Sequence, residues 1–212
     1  MINQKFIHLA PPKSTVMNLF DRAKNIIITP NKEWDVISIE TPDTRKVITG
    51  YVLPLAGLAA LAAFIGYGLI GINILGFHYI GMNWGIYYAV SILINAVVSV
   101  FVCSFVIDAL APSFGSEKNM GRSVQLVAYS YTPFWVGGLL SILPVLSWVG
   151  SLFGLYGLYL LYIGMPKMKK TPADKLTGYF IVSLLVIIAV YFVIGLILGS
   201  LLWGAMGLSY RI

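Results

Sequence analysis

Long apolar runs separated by short polar segments make up most of the chain. Five of these runs are long enough for the ~20 apolar residues that cross ~30 Å of hydrocarbon as an α-helix. They cover residues 47–74, 84–107, 123–143, 145–165 and 179–210. Because a helix satisfies its own backbone hydrogen bonds in lipid, the pattern predicts an all-α integral membrane protein with five transmembrane helices.

The number of spans depends on the uncharged stretch 124–165, which can be read as one long helix or as two. Basic segments flank this stretch at both ends, so an odd number of crossings would place one of them on the wrong side of the membrane. Two spans with a tight turn near Pro144 satisfy both ends, since proline cannot continue a helix. Four spans are the alternative count.

Residues 1–46 are more polar and predict a cytoplasmic N-terminal arm in front of a membrane domain over 47–212. Ser14 or Thr15 can cap a short helix in this arm, and Pro30 ends it. The apolar positions of that helix recur at helical spacing, at Val16, Leu19, Phe20, Ala23 and Ile27. We expect this amphipathic helix to dock on the underside of the bundle, to lie in the membrane interface, or to bind a partner.

The segment 31–49 predicts a linker that brings the chain to the first span. Trp34 lies within it, and a tryptophan close to a span typically anchors at the boundary between membrane and water. We therefore expect Trp34 among the lipid headgroups.

Charge predicts the orientation. Of the 14 basic residues, all but Arg211 lie before the first span, in the second loop or in the fourth loop. By the positive-inside rule these segments and the N-terminus are cytoplasmic, and the C-terminus is outside. The net charge of +6 therefore indicates a multi-pass protein of the cytoplasmic membrane that faces anionic lipid, and it does not indicate nucleic-acid binding.

Composition excludes other classes. With 58% hydrophobic and 10% charged residues, the chain has no room for a separate soluble domain. The single cysteine, Cys103, excludes a disulfide framework. The first 46 residues contain no cleavable signal sequence, so we expect the first span to insert uncleaved.

Asp108 is the acidic residue that lies at the end of a predicted span. A charge at mid-membrane costs roughly 2.5–3.5 kcal/mol, so an acid there suggests an ion path or a buried pair. A structural role is the alternative, in which Lys118 or Arg122 pairs with Asp108 and holds the second loop. An ion path would need Gln125 or Asn95 beside it.

Helix-breaking and small residues mark the third and fourth predicted spans. Pro133, Gly137 and Gly138 interrupt the third span, and broken helices expose backbone to substrates in some transporters. Neighbouring helices can equally satisfy the freed backbone groups. Gly150 and Gly154 form a GxxxG pair that indicates close helix packing, within the chain or in a homodimer.

The basic loop of Lys167, Lys169, Lys170 and Lys175 is expected to face lipid. Each cation near an anionic surface contributes ~1 kcal/mol, so this loop should hold the orientation and contact headgroups. Membrane lipid, and a protein partner or a second copy of the chain, are the expected partners, with no nucleic acid.

The sequence contains no arrangement typical of catalysis. His8 and His78 are predicted on opposite sides of the membrane, and no Cys/His/Asp/Glu group has metal-ligand spacing. Phosphate-binding loops and hydrolase motifs are also absent from the sequence. We expect no cofactor, no metal and no enzymatic activity.

Four segments resemble one family. They are TPNKEW at 29–34, DALAPSFG at 108–115, AYSYTP at 128–133 and LYGLYLLYIG at 155–164. With the order of arm and spans, they resemble the bacterial branch of the Yip-domain (Ypt-interacting protein) family. The resemblance implies five helical spans and a cytoplasmic N-terminus. Eukaryotic relatives are linked to Rab-type GTPases, but residues 108–112 depart from the acidic-Leu-Tyr-Gly-Pro motif of those relatives, so that role does not carry over.

Two functions follow as hypotheses. The first is a non-enzymatic membrane protein that scaffolds partners or organises lipid through its cytoplasmic face. The second is a small ion or solute transporter that uses Asp108 and the kinked third span. A transporter predicts Asp108 in a water-accessible cavity, whereas a scaffold predicts a paired Asp108 at the cytoplasmic rim.

Overall fold

The computed structural model describes the backbone of residues 18–74 and 77–205, and the side chains of 18–72 and 80–194. The predicted cap residues Ser14 and Thr15, and the predicted outside C-terminus, lie outside these ranges. Within them the protein is helical apart from one short β-hairpin.

The arm forms a helical hairpin. Helix α1 (Leu19–Ile28) begins after Asn18, whose side chain caps it by accepting a hydrogen bond from a backbone N–H. Helix α2 (Pro30–Ile39) follows after a single residue. The prediction of a linker over 31–49 is therefore wrong. Pro30 follows the end of α1, as expected, but it also starts α2. Proline suits the first turn, where its missing N–H would be unpaired in any case.

The first long helix runs in one direction through several helical types. Helix α3 (Thr44–Val47) continues through a π-helical turn into α4 (Leu53–Ile65) and a second π-helical turn at Gly66–Ile70. It ends four residues before the predicted end of the first span. The following residues form strand β1 (Ile72–Ile74), which pairs antiparallel with β2 (Phe77–Tyr79), Ile72 opposite Tyr79.

Three further long helices complete the frame. They are α5 (Met82–Leu110), α8 (Ser147–Lys169) and α9 (Ala173–Ala205). Among the described residues, four helices are long and apolar enough to cross a membrane, judged by length and composition. With their flanking turns they cover Thr44–Ile70, Met82–Phe114, Pro144–Lys169 and Ala173–Ile194. The prediction of a multi-pass membrane protein is thereby confirmed.

The third predicted span is helical but broken. It consists of α6 (Met120–Ser130), α7 (Thr132–Gly138) and a 3-10 turn at Leu139–Ile142. The break lies at Tyr131, and Pro133 falls in the first turn of α7, where it cannot donate to the preceding turn. The chain then reverses at Pro144, as predicted, and enters α8.

Glycines let α7 and α8 pack backbone against backbone. A Cβ built on Gly150 would lie 2.3 Å from the carbonyl oxygen of Gly137, which is too close for any other residue. Gly138 similarly meets Ala59 of α4, while a Cβ on Gly154 would meet one phenylalanine ring at an ordinary 3.5 Å. The close packing expected of the GxxxG pair is therefore intramolecular at Gly150.

The bundle has two distinct ends. The arm and the loops 111–119 and 170–172 meet at one end, which we call the arm end. The β-hairpin and the turn at Pro144 lie at the other, where Tyr67 and Ser147 hydroxyls are 3.1 Å apart. We call this the hairpin end.

Candidate functional site

A buried ion pair at the arm end joins α5 to α8. Asp108 lies near the end of α5, and Lys169 is the last residue of α8. The Lys169 ammonium lies 2.7 Å from Oδ1 of Asp108, and the lysine side chain is 0% exposed. Asn119 and Ser123, at the start of α6, complete the group. We call these four residues the rim cluster.

The ammonium of Lys169 has an acceptor for each of its protons. Nζ donates to Oδ1 of Asp108 at 2.7 Å, to Oγ of Ser123 at 2.8 Å and to the carbonyl oxygen of Asn119 at 3.2 Å. An ammonium carries three donors, so its capacity is fully used. Oδ1 of Asp108 also accepts from the Asn119 backbone N–H at 2.7 Å and from the Ser123 hydroxyl at 3.1 Å. The rim cluster thus ties α5, α6 and α8 together.

The loop after α5 is shaped to reach this cluster. Gly115 has φ 65°, a left-handed conformation that glycine adopts without strain, and it turns the chain back towards α6. Asn119 then caps α6, its side chain accepting from the Arg122 N–H at 3.1 Å. The Glu117 N–H donates to the carbonyl oxygen of Lys169 at 2.7 Å, which fixes this loop to the end of α8.

The prediction that Lys118 or Arg122 pairs with Asp108 is wrong. Lys118 is exposed in the loop. The Arg122 guanidinium donates to the Ile37 carbonyl oxygen at 3.0 Å and to Oε1 of the buried Gln125 at 3.4 Å. Arg122 therefore fixes α6 to the arm.

Asn95 lies apart from the rim cluster. It is exposed on α5, and its side-chain amide donates to the Ser91 carbonyl oxygen of the same helix at 2.8 Å. Thirteen residues of helix, about 20 Å, separate it from Asp108. The structure does not bring Asn95, Gln125 and Asp108 together around a polar cavity.

A second charged group lies between the arm and α6, and we call it the arm cluster: Arg22, Glu33, Glu40 and Tyr129. Nη1 of Arg22 lies 2.7 Å from Oε1 of Glu33, and Nη2 pairs with Glu40. The guanidinium also lies over the Tyr129 ring, 5.4 Å from its centroid. The cation therefore holds α1 to α2 and both of them to the bundle.

Burial and charge act in opposite directions within the arm cluster. Burial raises the pKa of Glu33 above its ordinary value, and the nearby Arg22 offsets only part of that effect. For Arg22, burial lowers the pKa, but the hydrogen bond that it donates to Glu40 and the charge interactions with Tyr129, Glu40 and Glu33 outweigh it, so the pKa is raised. Arg22 therefore stays charged, and the protonated form of Glu33 is favoured more than in a solvent-exposed glutamate.

Trp34 anchors the arm inside the protein, and the prediction that it lies among headgroups is wrong. Its side chain is 0% exposed and meets the Tyr129 ring edge-on, with centroids 6.4 Å apart. A Cβ built on Gly164 would lie 2.7 Å from the indole ring and would also be too close to the Leu126 side chain. Gly164 of α8 therefore provides the space into which Trp34 packs.

The predicted lipid-facing basic loop divides into two kinds of residue. Lys169 is buried in the rim cluster, so its assignment to lipid is wrong. Lys167 is exposed and forms an ion pair with Asp35 of α2. Lys170 and Lys175 are exposed at the arm end.

The arm cluster was missed from the sequence although a signal for it exists. Glu33, Ile37 and Glu40 recur at helical spacing, and Trp34 lies beside them, so one face of α2 is buried. Pro30 and Pro42 bound this short segment, which made it resemble a linker. Reading Pro30 as a helix start would have placed both glutamates on one face.

The described residues hold no group of three or more histidine, cysteine, aspartate or glutamate side chains that fits a metal ion. Two shallow grooves, of about 480 and 570 Å³, are lined by apolar side chains. One lies between α5 and α9, beside Phe105 and Val186, and the other between α4 and α5, beside Gly57 and Leu93. Their linings suit lipid chains better than polar solutes.

One family model, the Yip1 domain, matches residues 24–207 of the chain. No curated protein and no solved structure matches it. The matched range begins within α1, two residues after Arg22, and includes the other three residues of the arm cluster and the whole rim cluster.

Proposed function

The chain belongs to the Yip1 domain family, and from this premise we propose that it is a non-enzymatic protein of the cytoplasmic membrane. Its arm end serves as a surface that scaffolds partners or organises lipid. The protein crosses the membrane five times, with the N-terminus in the cytoplasm and the C-terminus outside.

The path of the broken third segment supports five crossings. Arg122 near its start contacts the arm, and the segment leads into the turn at Pro144 at the hairpin end. Its 19 residues from Met120 to Gly138 rise about 28 Å as α-helix, and the 3-10 turn adds to this length. That total is enough to cross ~30 Å of hydrocarbon despite the break.

The rim cluster is the observation that carries the proposal. Asp108 is paired, and every donor of Lys169 is used within the cluster. A transport site needs groups that can exchange partners with a passing ion, and a closed cluster is poorly suited to that role. The rim cluster instead holds the loops of the arm end in one arrangement.

The exposed cations of the arm end supply the interacting surface. Lys118, Lys170 and Lys175 are exposed in or beside the loops that the rim cluster positions. Arg45 and Lys46 are exposed at the start of the first long helix. Cations on one end of a membrane protein attract the headgroups of an anionic leaflet or an acidic partner.

Photo-cross-linking in native membranes tests the proposal. A photoreactive residue in place of Lys118 or Lys175 should give discrete adducts with a protein or an anionic lipid, and the same residue in place of Asn95 should not give those adducts. A matched flux assay in reconstituted vesicles addresses the transporter hypothesis. The proposal is rejected if the wild-type protein carries a proton or cation flux that Asp108→Asn abolishes at unchanged stability.

A further inference from the structure

The α1–α2 hairpin lies beside the bundle and not beneath it. Three contacts show the path of the hairpin, from the end of α2 at the arm end to the tip between α1 and α2. The Ile37 carbonyl meets Arg122 at the start of α6, Trp34 packs against Gly164, and the Ile27 carbonyl accepts from the Tyr156 hydroxyl at 2.8 Å. Each contact is further along the bundle than the one before. The tip of the α1–α2 hairpin therefore points towards the hairpin end of the bundle, where the β-hairpin lies.

The helical rise of α8 gives the depth of these contacts in the membrane. The turn at Pro144 marks the far end of this crossing, and 20 residues of helix, about 30 Å, lead from it to Gly164. Gly164 therefore lies near the boundary of the hydrocarbon at the arm end. Tyr156 is eight residues deeper, which places the Ile27 contact about 10 Å inside the hydrocarbon.

Large apolar side chains are exposed along the outward face of the hairpin, from its open end to its tip. Phe20 and Ile28 are 65% exposed, Ile39 is 82% exposed, and Val36 is 39% exposed. Such side chains are costly to leave in water and favourable in lipid. Lys24 and Lys32 share this face, but a lysine can lay its apolar stem along lipid and extend its ammonium to the headgroups.

Two charged side chains of the hairpin face the bundle, whereas Asp35 is exposed and pairs with Lys167, and Asp21 is exposed near the start of α1. Arg22 and Glu33 are buried between the hairpin and α6, where they pair with each other. Glu40 is the third member of this group and lies at the end of α2 nearest the arm end. Ionised groups within hydrocarbon need a partner, and the arm cluster supplies one to each.

From these observations we propose that the α1–α2 hairpin is a re-entrant element inserted into the leaflet at the arm end. Phe20, Ile28, Val36 and Ile39 contact lipid acyl chains there. Leu155 and Tyr159 of α8 are also exposed, as side chains that a crossing helix presents to lipid are, and Tyr159 stacks on Tyr156, which bonds to the Ile27 carbonyl. The inference rests on the proposed crossing of the bilayer and adds one element that enters the bilayer without crossing it.

Nitroxide labels on the full-length protein test the insertion. The variants Phe20→Cys, Ile28→Cys and Ile39→Cys are made in a Cys103→Ser background and reconstituted in vesicles of phosphatidylethanolamine and phosphatidylglycerol. Ile94→Cys, on the exposed mid-helix face of α5, reports the hydrocarbon, and Lys118→Cys reports water. Power saturation then measures collisions with oxygen, which enriches in lipid, and with a water-soluble nickel chelate.

The label at residue 28 should match the one at 94, with high oxygen and low nickel accessibility. The labels at 20 and 39, nearer the headgroups, should fall between those at 94 and 118. A nickel-accessible label at 28 beside a protected label at 94 overturns the inference and leaves the crossings intact. Low accessibility to both reagents at 28 also overturns it, because a second copy or a protein partner then covers the face. Nickel access at 94 would instead reject the proposed crossings.

Discussion

The carboxylate of Asp108 and the ammonium of Lys169 are 61 residues apart in sequence and 2.7 Å apart in the fold. Neither group has a charged neighbour of the same sign within the rim cluster, and both are buried. Removing one member of a buried pair leaves an uncompensated charge, which is more costly than losing the attraction itself. The pair therefore offers a sharp test of the arm end.

Lys169→Met should lower the free energy of unfolding by about 3–5 kcal/mol, because Asp108 stays buried without its cation. Lys170→Met is the matched control, since the adjacent Lys170 side chain is 78% exposed. Thermal midpoints of both variants in detergent compare the two effects. Adding Asp108→Asn to Lys169→Met should recover part of the loss. Equal midpoints for the two lysine variants would refute a structural role for the pair.

Trp34→Ala should release the arm from the bundle. Truncating a buried tryptophan costs about 3–5 kcal/mol, and the α1–α2 hairpin has few other large side chains in the core. Hydrogen exchange read by mass spectrometry over residues 18–40 should therefore quicken strongly, while exchange in α5 stays slow. Lys32→Ala, on the exposed face of the same helix, should leave both regions as they are. If exchange in the arm is already fast in the wild-type protein, the docked arrangement is wrong.

The arm cluster predicts a pH dependence with a defined sign. Glu33 has a raised pKa in the folded protein, so its contribution to stability is present at low pH and is lost as pH rises from its ordinary value of 4.5 through the folded pKa. Arg22, Glu40 and Tyr129 are the charged or titratable groups that surround it. Glu33→Gln mimics the protonated acid at every pH.

The thermal midpoints of the wild-type protein and Glu33→Gln should therefore be close at the acid end of this range. As pH rises, the midpoint of the variant should rise relative to that of the wild type. Glu117→Gln is the control of opposite sign, because the hydrogen bond and charge of Lys170 lower the pKa of Glu117. The thermal midpoint of Glu117→Gln should be lower than that of the wild type above pH 4.5. A Glu33→Gln difference that shrinks as pH rises would contradict the burial of this acid.

Gly150 and Gly154 make a matched pair for the packing of α7 on α8. Gly150→Ala places a methyl group 2.3 Å from the carbonyl oxygen of Gly137, so the two helices must separate. Gly154→Ala meets only the Phe134 ring at 3.5 Å and gains helix propensity of about 1 kcal/mol. We expect the first variant to lower the thermal midpoint and the second to hold or raise it. The reverse order would mean that the GxxxG pair packs through Gly154, as a dimer contact at that face would require.

Much of the fold could be predicted from residue patterns because crossing a bilayer imposes a length that hydropathy displays directly. The apolar runs located the four candidate membrane helices found among the described residues, and the predicted turn near Pro144 is present before α8. The role of Lys169 could not be read in the same way. The uncharged run predicted a fourth span that stops at Met165, but α8 continues through Pro166 to Lys169.

That extension decides which lysine is buried. In a continuing helix, Lys169 falls four residues after Met165 and eight after Leu161, and all three share the buried face. Its exposed neighbour Lys170 has φ 50° and ends the helix. The four lysines are the same residue type, so the sequence can tell the buried one from the exposed ones only if the helix is known to continue beyond Pro166. The pairing with Asp108 then depends on how α5 and α8 meet, which no local pattern records.

The contact between Ile27 and Tyr156 spans 129 residues and constrains the order in which the protein is assembled. The arm leaves the ribosome before the surfaces that receive it, which are Tyr129 on α6 and Gly164 on α8. At 5–20 residues per second, roughly 6–26 s pass between synthesis of the two ends of this contact. During that interval Arg22 and Glu33 have no α6 to pack against, and the docking of the hairpin reports that the third and fourth segments are in place.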